Sequence, residues 1–384
     1  MTQRIEKLIR LMTAAELDAV VLNPGATMRY LSGLEFHLME RPVVLLVTKD
    51  GDARMILPIL EAAKLDSSKV AAKTSLFGDD PSSWQGVFNQ ALADLCGKTL
   101  RVGVESGRLR YLEYAFLKNA LPEAQFSDAG SVFAGLRMSK DAEELNRMRK
   151  AAQIAEKALI STLKLIQPGQ SEKEIASELL VQLYRHGSDQ ELPFAPIVSS
   201  GPNSANPHAS PSDRRVGRGE LLLFDWGAGF EGYFSDITRC FYVGEDDGSM
   251  QTIAATVQRA NHYAVSQVKP GMTAGDVDAI ARQEIRESGF GEYFTHRTGH
   301  GLGMETHEAP YIFDGNSLVL EPGMVFTVEP GIYVPGLGGV RIEDDVAVTT
   351  EGFISLSTLP REVLSIERYL ANLDTMRLWY ETGL

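Results

Sequence analysis

Thiol is the scarcest functional group here: 384 residues carry only Cys96 and Cys240. That is too few for a disulfide scaffold or a thiolate zinc site. Basic residues are also in deficit, 37 Lys and Arg against 51 Asp and Glu, for a formal net charge of −14. Such a surface repels nucleic acid and anionic lipid, so neither is expected as a partner. No apolar run approaches the roughly 20 residues that cross a bilayer. The start, Met1-Thr2-Gln3-Arg4-Ile5-Glu6-Lys7, lacks the unbroken apolar core of a signal peptide, and the cytoplasm is the expected address.

What remains is ordinary globular composition, 44% hydrophobic and 23% charged, in a chain long enough for two cores. In the first third, Ile5, Leu8, Ile9 and Met12 recur with helical period. Ala19–Leu22, Val43–Val47, Met55–Leu57 and Val102–Val104 read as short buried strands, with a helix expected over Trp84–Leu95. This predicts an α/β domain with no catalytic constellation. A boundary is expected around Gly135–Ser139, which divides the chain into 1–137 and 138–384.

Beyond the boundary a phrase repeats. Leu145, Met148, Ala152, Ala155 and Leu159 mark an amphipathic helix that stops at Pro168-Gly169, and Ser171 and Glu174 then form a capping-box pattern. A second amphipathic stretch (Met250, Ile253, Ala254, Val257, Ala260) runs into Pro270-Gly271, with Thr273 and Asp276 at the matching cap. Gly219–Gly227 and Gly323–Gly331 match at nearly the same offset, about one hundred residues, which argues for a duplicated helix-helix-strand unit.

The duplication sets Asp225 and Glu329 in equivalent places, each ending an apolar strand. Asp236 and Glu343 come next on the returning segments, and period-2 alternation puts Arg341 on the face of Glu343. A strand cap or an ion pair explains any one of these acids; it explains four duplicated ones poorly. Unpaired buried carboxylates cost several kcal/mol each. Arg239 and Arg341 offset part of that charge, whereas two divalent cations would balance all of it. The segment His296–Glu308 adds His296, His300 and His307, and glycines beside His300 disfavour helix and allow close approach to a bound species. His208, in a loop after Asn206-Pro207, can reach the same pocket. A G-x-G-x-x-G match at Gly227–Gly232 is set aside, because the residues after it are strand-like and a dinucleotide site needs a helix there.

At these residues the sequence resembles the metallopeptidases that include aminopeptidase P, prolidase and methionine aminopeptidase. The resemblance implies a creatinase-type N-terminal α/β domain followed by a duplicated pita-bread catalytic domain. It implies two divalent ions (Mn, Co, Zn or Fe) held by Asp225, Asp236, His300, Glu329 and Glu343, with Asp236 and Glu343 bridging. His208, His296, His307 and Arg341 fall where proline-specific members carry substrate-pocket residues. The implied activity is cleavage between an N-terminal residue and proline. Glu329 would transfer the proton, and His307 with His208 would stabilise the tetrahedral intermediate. A small peptide with proline second is the implied substrate, and a homodimer the implied assembly. Tyr311 stands where some prolidases carry an arginine, which leaves recognition of a dipeptide carboxylate to Arg341 or another basic group. The alternatives are a pita-bread hydrolase acting on a non-peptide C–N bond, and a non-catalytic pita-bread binding protein.

Overall fold

A computed structural model describes residues 2–373. The terminal helix expected to run from about Ser365 to Leu384 is helical over 366–373, and the rest of it lies outside the described residues. The chain divides into two compact units, Met1–Arg137 and Met138–Leu384.

The first unit is built on a six-stranded mixed sheet in the order Lys73–Phe77, Ala53–Pro58, Val44–Thr48, Ala19–Leu22, Arg101–Val104, Gln125–Asp128. The central strands are buried throughout, which is why they read as apolar runs. The two edge strands are largely exposed and have no such pattern, so they were illegible in the sequence. The helix expected over Trp84–Leu95 ends earlier, at Ala91, and Leu92 and Leu95 reach the core from a turn.

The second unit shows the duplication in three dimensions. Helix Ala142–Leu163 packs against Glu172–Arg185, and Gln251–Ser266 against Ala274–Glu287. The caps expected at Ser171 and Thr273 are reciprocal capping boxes with Glu174 and Asp276, and Asp141 with Glu144 forms another. Such a cap stabilises a helix by about 1 kcal/mol.

Each half also supplies an antiparallel strand pair. Leu221–Trp226 pairs with Ile237–Tyr242, and Val325–Val328 pairs with Asp344–Val348. Alternation on these strands aims the acids. Leu222, Phe224 and Trp226 pack on the first helix pair; Leu221 and Leu223 face the other way, the side shared by Asp225. On the returning strand, Ile237 and Phe241 join the helix side, which leaves Asp236 and Thr238 on the inner face. Phe326 and Val328 enter the core under the second helix pair, leaving Thr327 and Glu329 on the opposite parity. Full burial of each such large apolar side chain stabilises by about 1.5–3 kcal/mol.

The Gly227–Gly232 turn carries a two-stranded ribbon, Gly229–Phe230 with Tyr233–Phe234, and no helix. The segment expected as one strand, Val340–Glu343, is broken. Gly338–Arg341 ends a hairpin with Gly331–Val334, and Glu343 forms an isolated bridge to Thr238 that joins the two halves.

Arg239 does not serve the four acids. Its guanidinium lies 2.7 Å from Asp344 and donates to the carbonyls of Glu343 and Leu359, with both partners of the ion pair almost fully buried. Removing one member of a buried pair strands the other. Arg239→Met is therefore expected to lower the unfolding free energy by about 3 kcal/mol, read from urea midpoints of the metal-free protein. A loss below about 1 kcal/mol would show that Arg361, 2.6 Å from the other oxygen of Asp344, suffices alone.

Candidate metal centre and substrate cavity

The strand ends and loops of the second unit enclose a cavity of about 800 Å³. The five expected ligands, Asp225, Asp236, His300, Glu329 and Glu343, all line it, and so do His208, His296, His307 and Arg341. These nine residues come from stretches spread from position 208 to position 343. Asp236, His300 and Glu343 each offer a ligand atom within 4.8 Å of the others, and all three are buried. The His300 Nε2 stands 3.7 Å from Asp236 and 3.4 Å from Glu329.

His300 is placed by its neighbours. Its strand, Gly299–Gly301, runs between Glu308–Ile312 and Val325–Val328. A Cβ on Gly299 would sit 1.8 Å from the Thr327 carbonyl oxygen, and one on Gly301 would sit 2.3 Å from the Ala309 carbonyl. The two glycines thus serve close packing of strands, where the sequence suggested close approach to a bound species. His300 donates its backbone N–H to Thr327 Oγ1, and its Nδ1 lies 3.1 Å from the Gly301 carbonyl. A proton on Nδ1 leaves Nε2 as the free lone pair facing the acids.

The acids are held as a crowded set. Thr238 Oγ1 donates to Glu343 at 2.6 Å and accepts from Arg341 Nε at 3.1 Å. The Asp236 backbone N–H donates to Asp345 Oδ2. Arg341 pairs with Asp225 at 2.6 Å and reaches the Tyr333 hydroxyl at 2.8 Å. Among the described residues, Asp225 Oδ1 and Asp236 Oδ1 are buried and have no hydrogen-bond partner. Buried carboxylate oxygens left without a partner on the lining of one cavity fit a cation site.

Electrostatics agrees. Burial, then Glu343 and Asp225, pushes the Asp236 carboxyl well above the usual carboxylate range. Burial, then Glu329 and Asp225, does the same to Glu343, and burial lifts Glu329 to about 7. Burial, then His307, drops His300 to about 3, so its imidazole is neutral and available as a donor. Protons or cations must offset this negative charge, and oxygen-rich ligation with one imidazole suits divalent ions.

Around the cluster, His296 is tied at both ring nitrogens, 2.7 Å from the Arg297 carbonyl and 2.9 Å from the Tyr333 hydroxyl. Burial pulls its pKa to about 4. The unfolded chain therefore binds the extra proton between about pH 4 and 6.5, so this stabilising term is present above 6.5 and lost as pH falls towards 4. His296→Gln is expected to flatten the stability slope there by close to one proton, read as the difference from wild type in urea midpoints. The raised carboxylates contribute with opposite sign in both proteins and cancel in that difference. An unchanged slope would sink the prediction.

His307 is exposed to the cavity, its ring 4.0 Å from that of His300. The adjacent Glu308 forms a buried 2.6 Å pair with Lys140, which anchors this segment. Sequence reasoning missed Lys140, Thr238, Tyr333 and Asp345; they reach Glu308, Glu343, His296 and Asp236 on other elements, and such contacts leave no local pattern. It also missed the apolar lining, where Pro193, Phe194, Pro196, Ile197, Pro207 and Pro211 share the cavity with the acids and Ile197 pairs with Asp225 on the neighbouring strand.

Comparison with known proteins agrees with this geometry. Residues 146–350 match the model of metallopeptidase family M24, and residues 4–139 that of the creatinase/prolidase N-terminal domain. A probable dipeptidase PepE of Mycobacterium tuberculosis is 37% identical over 361 residues, covering 92% of this chain and 93% of that protein. A Xaa-Pro dipeptidase of Pyrococcus furiosus is 36% identical over 367 residues, covering 95% and 100%. The crystal structure of a dipeptidase from Pyrococcus horikoshii OT3 superposes with a TM-score of 0.88 at 38% identity, covering 94% of this chain and all of the other.

Proposed function

The chain belongs to metallopeptidase family M24, with a creatinase-type N-terminal domain and a pita-bread catalytic domain, and from that premise we propose that it hydrolyses the bond between an N-terminal residue and proline. The observation that carries the reading is the cavity itself, which a carboxylate and imidazole cluster lines together with Pro193, Phe194, Pro196, Ile197, Pro207 and Pro211. An apolar lining suits a pyrrolidine ring, and the polar groups suit the scissile amide.

Asp225, Asp236, His300, Glu329 and Glu343 would hold two divalent ions, with Asp236 and Glu343 shared between them. Bound there, the ions would lower the pKa of water and polarise the scissile carbonyl. Glu329 takes the proton released on attack and returns it to the departing proline nitrogen. His307, with His208, donates a hydrogen bond to the oxygen of the tetrahedral intermediate. Arg341 and Tyr333 brace Asp225 and His296 and so keep the cluster in register. We place the protein in the cytoplasm as a homodimer; among the described residues no helix is long and apolar enough to cross a membrane.

The test is a parallel assay of Ala-Pro, Ala-Pro-Ala and Ala-Ala with Mn²⁺, Co²⁺, Zn²⁺ or Fe²⁺ restored to chelated protein. Cleavage of Ala-Pro with Ala-Ala untouched supports the proposal. Failure on both proline peptides with every metal sinks it.

A further inference from the structure

We propose that Arg297 is the receptor for the free carboxylate of a dipeptide substrate. The assignment rests on the Xaa-Pro reading above and adds to it a reason why chains longer than two residues would be poor substrates.

Among the described residues two guanidinium groups line the cavity, Arg297 and Arg341, and they are not in the same state. Arg341 is 3% exposed, and its donors are taken by Asp225, Tyr333 and Thr238. A substrate anion could recruit it only by breaking the contact that braces Asp225. Arg297 is partly exposed, and among the described residues no carboxylate pairs with it. Its guanidinium carbon lies 4.6 Å from the centroid of the Tyr311 ring. Tyr311 is the residue opposite His300 in the strand pairing, so this stack lies close beside the proposed metal centre.

Stacking occupies the flat face of a guanidinium and leaves its in-plane N–H donors unspent. Those donors match the two oxygens of a carboxylate in bidentate fashion. Contact with the ring also restricts the guanidinium, so less side-chain freedom is left to lose on binding.

The geometry also accounts for a cation beside a centre that would hold divalent ions. Four carboxylates balance two such ions, so Arg341, paired with Asp225, and Arg297, paired with no carboxylate among the described residues, leave the site net positive, and an arriving carboxylate would offset part of that charge. A substrate whose proline carboxyl is an amide, or continues into a third residue, brings no such charge to that point.

The experiment compares Ala-Pro with Ala-Pro-NH₂ on metal-loaded wild type, Arg297→Ala and Arg297→Lys, with metal content measured alongside. Wild type is expected to prefer the free acid by about 10- to 100-fold in kcat/KM, the range of one charge-assisted contact. Arg297→Ala should erase the preference, chiefly through KM, and keep its activity on the amide. Arg297→Lys should fall between, since it keeps charge and loses the fork. A wild type that treats both peptides alike overturns the assignment and leaves the proline reading standing. Equal loss on both peptides in Arg297→Ala, with metal retained, overturns it as well. A wild type that cleaves neither peptide removes the proline reading and this inference with it. If Arg297→Ala does not load metal, the lysine variant and the wild-type ratio decide: an undiminished preference in Arg297→Lys overturns the assignment.

Discussion

Asp236→Asn is expected to lose its metal and about 10⁴-fold or more of kcat/KM, because Lewis-acid catalysis supplies several kcal/mol of transition-state stabilisation. Asp236 is 4% exposed and shares its space with Glu343, Asp225, Asp345 and Glu329. An amide cannot carry the negative charge that a shared ligand supplies, yet it fits the same volume. The variant should therefore fold. It should even be easier to fold without metal, since one of the mutually repelling groups is gone; relief of about 1 kcal/mol raises the melting temperature by about 2–4 °C in a protein of this class. Wild type, by contrast, should lose stability on chelation, by about 2.7 kcal/mol where the metal had stood at 100 times its Kd. Elemental analysis and thermal scans with and without chelator check both halves. A fully loaded Asp236→Asn enzyme with normal turnover would refute the cage.

His307→Ala is expected to leave metal content unchanged and to lower kcat by about 10²–10³-fold, the usual cost of one donor to a developing oxyanion. KM should move little, because the hydrogen bond strengthens only as charge develops. The competing account is structural. His307 packs against the His300 ring, and its removal could loosen the proposed ligand. The two accounts differ in metal content: loss of metal together with rate would make His307 a support of His300, and retained metal with lost rate would make it a donor to substrate.

Local pattern made much of the fold legible. The central strands of the first unit are apolar because sheet neighbours and helices cover both faces. Its edge strands, Lys73–Phe77 and Gln125–Asp128, have exposed faces and lack that signal. Capping boxes at Ser171 and Thr273 were readable because a cap is completed within four residues. Longer reaches were not. Arg239 and Arg341 sit on similar strands and look alike in sequence, but one turns to Asp344 and the other to Asp225. The glycines beside His300 make room for the Thr327 and Ala309 carbonyls on the neighbouring strands, contacts that no local pattern records.

By itself the sequence determined the duplicated helix-helix-strand plan, the strands that end in acids, and the parity that turns those acids inward. Side-chain alternation and capping are properties of neighbouring residues, so a linear string contains them. Only the tertiary structure decided that separate stretches of chain line one cavity, which guanidinium is spent on bracing the acids, and which is left without a carboxylate partner beside the Tyr311 ring. Those outcomes depend on distances between groups far apart in the chain, and the energies that matter there, desolvation and charge–charge interaction, are set by separation in space and burial.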